Sequence, residues 1–324
     1  MTRIPRLYAS LLRYRVAAMV AMFMLLGAAR EGPLQLGWRF ACAALALASS
    51  YVSATALNDL ADEEIDKINH PRDAGRPLVE GTGTRHDLSI LHLAAAALAV
   101  AAALPLGWSG VALVCASLVI SHAYSAPPLR FSYRVAGAPL LLPVAYVVVP
   151  VGLGIVAARG DPQHTLSRFV FALLLLFAAR IVLKDFRDRE GDAAFGKPTL
   201  LLRHGKDATC AVSAVALLAA DAVLVTTLAP VAVVIAQPFV VAIGWMLWRL
   251  RHAQEEHAEQ VAIGTGARAG NGLLLAMLGW FVLGGAGASF AERVAFAAVL
   301  AALFLGSTAA LAADPDQAVL GYKG

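Results

Sequence analysis

Apolar residues occupy this chain in long unbroken runs, and two stretches dense in carboxylates interrupt them. The runs centre near residues 16–29, 37–57, 88–105, 109–123, 138–157, 167–183, 208–228, 230–249, 270–287 and 293–312. Each approaches or reaches the roughly 20 residues a helix needs to cross a bilayer. The pattern predicts an all-α membrane protein, a bundle of nine to ten transmembrane helices, the shorter runs leaving the count open by one. The longest polar stretches, 58–87 and 184–207, leave no room for a soluble domain, so residues 1–324 form one membrane domain. In each half an apolar helix, an acidic motif, basic residues and a Gly or Pro turn follow one another, a weak sign of internal duplication.

A mean hydropathy of +0.70, with 59% hydrophobic and only 15% charged residues, excludes a water-soluble globule of this length. Lysine and arginine then orient the chain, because cytoplasmic loops are enriched in them. With both termini inside, twenty of the 26 basic residues fall in cytoplasmic segments and five on the other side, with Arg180 inside a run. This places both acidic stretches on the cytoplasmic face and gives an integral, multi-pass protein of the cell membrane. The net charge of +4 is accordingly a topology signal, and no basic stripe for nucleic acid is present. Cys42, Cys115 and Cys210 each fall inside an apolar run without pairing or ligand spacing. The basic N-terminal segment lacks a small-residue cleavage site and reads as the lead into a first membrane helix, not a removable signal.

The first acidic motif runs Asn58-Asp59-Leu60-Ala61-Asp62-Glu63-Glu64-Ile65-Asp66, and the second Asp185-Phe186-Arg187-Asp188-Arg189-Glu190-Gly191-Asp192. Thirteen of the 22 acidic residues lie in the two stretches, where cytoplasmic loops ordinarily favour Lys and Arg, so the clusters call for counter-cations. If the local structure is helical, Asn58, Asp62 and Asp66 share one face, and so do Lys184, Asp188 and Asp192. Such faces suit Mg2+, which takes a few carboxylates plus substrate phosphates in preference to an all-protein cage. A diphosphate substrate follows from that preference. Arg72 and Arg76 trail the first motif and Lys197 the second, where cations stabilise the charge of a departing diphosphate. Between the two stretches, Tyr124-Ser125-Ala126-Pro127-Pro128-Leu129-Arg130 ends the fourth run. Its prolines are expected to hold the segment extended, with Tyr124 and Arg130 at the mouth of the bundle. His252 and His257 beside Glu255, Glu256 and Glu259 imitate a metal cluster but read as a solvated inner loop.

Asn58-Asp59-x-x-Asp62-x-x-x-Asp66, Asp185-x-x-Asp188-x-x-x-Asp192 and the intervening Tyr124-Ser125 segment together resemble the UbiA superfamily of intramembrane prenyltransferases. The resemblance spans about Arg13 to Lys206. It implies a helical bundle around a central cavity capped by cytoplasmic loops, transferring an isoprenoid chain from a prenyl diphosphate to an acceptor, aromatic or a quinone precursor. Asn58, Asp62, Asp66, Asp188 and Asp192 would then hold Mg2+, with Asp59 and Asp185 in support. Arg72, Arg130 and Lys197 would contact the diphosphate, Tyr124 would belong to the catalytic set, and Arg13 or Arg15 would present a further cation. The chain departs from that pattern in the extra run at 293–312 and in a longer spacing from Tyr124 to its basic residue.

Two other readings share these residues. A terpene cyclase on the same frame needs the same acidic motifs. A transporter needs ionisable residues at midplane depth, where the runs contain only Arg180 and Asp221.

Overall fold

The structure, a computed structural model, describes residues 3–71 and 75–313, and its regular elements over those residues are all helical. They are α1 (Arg3–Leu11), α2 (Tyr14–Arg30), α3 (Trp38–Asn69), α4 (Pro77–Glu80), α5 (Arg85–Ala103), α6 (Trp108–Ser125), α7 (Gly137–Pro143), α8 (Val149–Ala157), α9 (Arg168–Ile181), α10 (Lys184–Arg187), α11 (Arg189–Ala194), α12 (Leu200–Thr227), α13 (Pro230–His252), α14 (Glu256–Gly285) and α15 (Phe290–Ala313). A short π-helical stretch, Val144–Val148, joins α7 to α8 in one rod.

All ten apolar runs fall on helices, and the protein is an integral, multi-pass membrane protein. Among the described residues eight helices are long and apolar enough to cross a membrane, and the bent pair α1–α2, turning through 67°, makes a ninth if counted as one span. Helix α9 is the exception at 14 residues. Its rise of roughly 21 Å falls short of a hydrocarbon core about 30 Å thick.

With lipid outside the bundle as apolar as the helices themselves, packing depends on how closely backbones approach. The contact of α2 with α8 shows this. A Cβ on Gly27 would run into the Val151 carbonyl, and one on Gly154 into the Met24 carbonyl, so the two helices touch backbone to backbone through reciprocal glycines. Gly154→Val is expected to wedge them apart and cost about 1–3 kcal/mol. A thermal unfolding midpoint in detergent equal to that of the parent would contradict the close approach. Helix α15 packs on α14 but turns Val299, Leu303 and Leu305 outward, 60–66% exposed, a surface suited to lipid.

Three breaks shape the polar end of the bundle. Helix α3 leaves helical geometry at Asp62 (φ −114°, ψ 17°). The chain breaks again at Asp188 (φ −92°, ψ 8°), which ends α10 and precedes α11. The second motif is therefore two short helices broken at Asp188 and not one continuous helix, and α10 and α11, at four and six residues, are too short to persist without tertiary contacts. Gly205 (φ 78°) then breaks α12 near its start.

Candidate functional site

Where α2 begins, α3 ends and α10–α11 fold over, a cavity of about 390 Å³ opens into the bundle. Its polar end carries Asn58, Asp62 and Asp66 from α3 and Lys184, Asp188 and Asp192 from the second motif, so the two one-turn series do converge on one space. Its apolar depth is lined by Val20, Leu47, Leu142 and Ile263 and by an aromatic group. There Tyr146 stacks on Phe177 (5.4 Å between centroids, 13° between planes) and Tyr51 meets Tyr146 edge-on at 6.1 Å. Tyr124 also lines the cavity, from the last turn of α6.

Lys197 joins the two motifs. Its ammonium lies 3.4 Å from Asp62 Oδ2 and 3.3 Å from Asp192 Oδ1, with all three side chains buried. Asn58 donates through Nδ2 to the same Asp62 Oδ2 (3.2 Å). Arg130, just outside the cavity lining, stacks on Tyr133, donates to the Ala61 carbonyl (3.1 Å) and stands 3.7 Å from Asp62 Oδ1. Asp66 is paired with Arg76, and Asp188 with His70 (3.1 Å) and Arg187 (2.9 Å).

The end of α3 reaches the second motif directly. Asn69 Oδ1 accepts the backbone N–H of Gly191 at 2.7 Å, and the neighbouring His70 makes the Asp188 contact. A Cβ at Gly191 would lie 2.7 Å from Asn69 side-chain atoms, so a residue without a side chain allows this approach.

Burial opposes every charge here, and neighbours decide the outcome. Burial would lower Lys184, yet Tyr124, Asp185, Asp188 and Asp192 hold it well above the ordinary lysine range. Burial would raise Asp188, yet Arg187, His70 and Lys184 keep it well below the usual carboxylate range. At Asp192 burial prevails over Lys197 and Lys184 and pushes the carboxyl upward.

The remaining expectations are met unevenly. Asp59 and Asp185 are buried away from the cavity lining: Asp59 is held by Arg13 (2.5 Å) and Arg76 (3.6 Å), and Asp185 by Lys184 (3.0 Å). Arg13 lines the cavity, whereas Arg15 is exposed and donates to Tyr14 Oη (2.9 Å), so of the two only Arg13 reaches that space. Arg72 lies outside the described residues. The segment after Tyr124 is a turn and not extended, because the Arg130 N–H bonds back to the Ala126 carbonyl (2.9 Å) and closes it. Sequence reasoning missed Asn69, His70 and Arg187 and ranked Arg76 below Arg72. The only hint was their place beside the acidic motifs. The stretch from His252 to Glu259 is solvated as expected except at Glu259, which is buried because Arg189 and Lys206 pair with it.

Among the described residues no three His, Cys, Asp or Glu side chains are gathered tightly enough to hold a metal ion by themselves. The site nevertheless suits a hard cation. Among the described residues Asp62 Oδ1 and Asp192 Oδ2 are buried with no hydrogen-bond partner, and Asp192 Oδ1 has only the Lys197 ion pair. The available donors are carboxylate and amide oxygens, the set Mg2+ takes alongside phosphate oxygens.

The model of the UbiA prenyltransferase family matches residues 16–271. The digeranylgeranylglyceryl phosphate synthase of Methanopyrus kandleri is 30% identical over 162 residues, 49% of this chain and 56% of that protein. The homogentisate phytyltransferase of Synechocystis is 34% identical over 166 residues, 46% of this chain and 50% of that protein. The chain thus spans about half the length of the curated relatives it matches. A solved UbiA homologue from Archaeoglobus fulgidus, bound to DMAPP and Mg2+, superposes with a TM-score of 0.61 at 16% identity, over 83% of this chain and 99% of that one.

Proposed function

The chain belongs to the UbiA prenyltransferase family, and on that premise we propose that it transfers an isoprenoid chain from a prenyl diphosphate to a lipophilic acceptor within the membrane. The observation that carries this reading is the meeting of Asp62 and Asp192 across Lys197, at the polar end of a cavity whose depth is apolar and aromatic. That pairing of a charged mouth with a greasy interior matches a substrate with a diphosphate head and a hydrocarbon tail.

Asn58, Asp62, Asp66, Asp188 and Asp192 would hold Mg2+. When bound, the metal would neutralise charge on the departing diphosphate as a Lewis acid. Lys197, Arg76 and Arg13 face the same space and would bind and orient the diphosphate oxygens, with Arg130 and Arg72 as further cations. Allylic C–O cleavage moves the bonding pair onto the diphosphate and leaves positive charge on the prenyl carbon. Tyr51, Tyr146, Phe177 and Tyr124 would present π faces or phenol oxygens to that charge. The apolar wall excludes water, so an electron-rich acceptor attacks in its place, forming the bond to the prenyl carbon and releasing its own proton. A digeranylgeranylglyceryl phosphate synthase and a homogentisate phytyltransferase among the relatives support carrying two acceptor classes into the test, a lipid alcohol and an aromatic acid. We read the fold as ten crossings, made of the eight long helices, the α1–α2 pair and the short α9, an even count that goes with both termini on the cytoplasmic side.

The test incubates membranes containing the protein with geranylgeranyl diphosphate and either geranylgeranylglyceryl phosphate or a pool of phenolic acids, with Mg2+ or with EDTA. Mg2+-dependent diphosphate release together with an acceptor-plus-prenyl mass is the expected result. A hydrocarbon or terpene alcohol as sole product would replace transfer by cyclisation, and no release with any chain length would refute the reading.

A further inference from the structure

Glu259, on α14, is 6% exposed and accepts two cations: Arg189 Nη2 at 2.7 Å and Lys206 Nζ at 2.6 Å. The two donors stand at opposite ends of one segment. Arg189 lies between Asp188 and Asp192, and Lys206 follows the Gly205 break in α12, where it also donates to the Ala253 carbonyl. One buried carboxylate therefore ties both ends of the stretch that begins just after Asp188 and carries Asp192 and Lys197 into the cavity.

That stretch needs such a tie. Its helix α11 is too short to persist alone, and it turns through positive φ at Gly196 (63°) and Gly205 (78°), where glycine adds freedom in place of stiffness. Its internal bonds are local, Lys197 N to Asp192 O (2.8 Å) and Leu202 N to Thr199 Oγ1 (3.2 Å), and they do not fix it against the bundle. Asn69 and His70 hold it on the cavity side, through Gly191 and Asp188. Glu259 holds it from behind.

We propose that Glu259 is a positioning residue, a clasp that closes the second acidic segment and sets the spacing of Asp188, Asp192 and Lys197 relative to the first motif. Its consequence for metal and diphosphate binding rests on the proposed function, whereas the clasp itself does not.

The test uses the detergent-solubilised full chain in two arms. In the metal-free arm, hydrogen exchange is followed in peptides covering residues 188–206. Glu259→Gln should speed exchange there by about tenfold or more, as local opening becomes easier, and Glu259→Asp should fall between Gln and the parent. In the second arm Mn2+ is titrated by electron paramagnetic resonance in the presence of a non-hydrolysable geranylgeranyl thiolodiphosphate. Glu259→Gln should weaken Mn2+ binding by about tenfold, the low end of the range for partners bonded directly to a ligand, because Glu259 acts through Arg189 and Lys206. Should Glu259→Gln fail to insert, the half-exposed Arg189→Gln and Lys206→Gln repeat both arms, each loosening one end. Unchanged exchange across 188–206 in these variants overturns the clasp. Faster exchange with undiminished Mn2+ affinity overturns the positioning role. A parent protein that takes up no Mn2+ counts against the proposed function instead, and the exchange arm still decides the clasp.

Discussion

Asp62→Ala and Asp192→Ala are each expected to lower prenyl transfer on the order of 10³-fold, the scale on which removing a preorganised electrostatic group acts. Both carboxylates are buried, at 5% and 1% exposure, and both face Lys197. Removing either takes away an oxygen donor for the metal and loosens the ammonium that joins the motifs. The fold should survive. A buried ion pair left with no partner costs about 3–5 kcal/mol, but here Lys197 keeps the other carboxylate in each variant. The controls are insertion and a near-parental unfolding midpoint, together with Asp221→Asn. Asp221 accepts Gln237 Nε2 (2.7 Å) between α12 and α13, outside the cavity lining, so that variant keeps its acceptor oxygen and its activity. Full activity in both alanine variants would remove the two residues from the metal site.

Gly191→Ala is expected to be nearly as damaging, although it adds one methyl group and changes no charge. The new Cβ would fall within 2.7 Å of the Asn69 amide, a side chain that is 8% exposed. Asn69 must move, and its bond from the Gly191 N–H at 2.7 Å is then lost along with the register between the ends of α3 and α11. A geometry error of about 1 Å at a catalytic constellation costs roughly 10²-fold in rate. The loss should appear mainly in turnover and Mg2+ requirement, and Asn69→Ala in the same background should recover part of it by opening space. Parental kinetics in Gly191→Ala would mean that the contact between the motifs has no bearing on the chemistry.

The apolar runs were legible because a bilayer imposes one strong requirement on every helix, and each run became a helix. The acidic motifs were legible for a related reason: carboxylates in loops that ordinarily collect Lys and Arg require a counter-charge. The residues that lock the site together carried no such signal. Asn69 and His70 look like an ordinary helix end, and only the fold brings Gly191 and Asp188 against them. Glu259 follows the exposed stretch 254–257 and pairs with two cations distant in sequence. Periodicity also missed the breaks at Asp62 and Asp188, since a spacing of four keeps residues on one side whether the helix is continuous or kinked. Choosing Arg13 over Arg15 likewise depended on the bend between α1 and α2. Arg13 takes a positive φ (44°) there and its side chain reaches Asp59.

Lys197 holds the place of a bridging charge between Asp62 and Asp192, and a divalent ion with its diphosphate would meet the same two carboxylates. The most direct measurement is therefore a Mn2+ titration, read by electron paramagnetic resonance, of the parent, Asp62→Ala and Asp192→Ala proteins with geranylgeranyl thiolodiphosphate bound. One site drawing on both motifs predicts Mn2+ uptake by the parent that depends on the diphosphate and falls at least about tenfold in each variant. Uptake as tight in both variants as in the parent would contradict a metal held jointly by the two acidic segments.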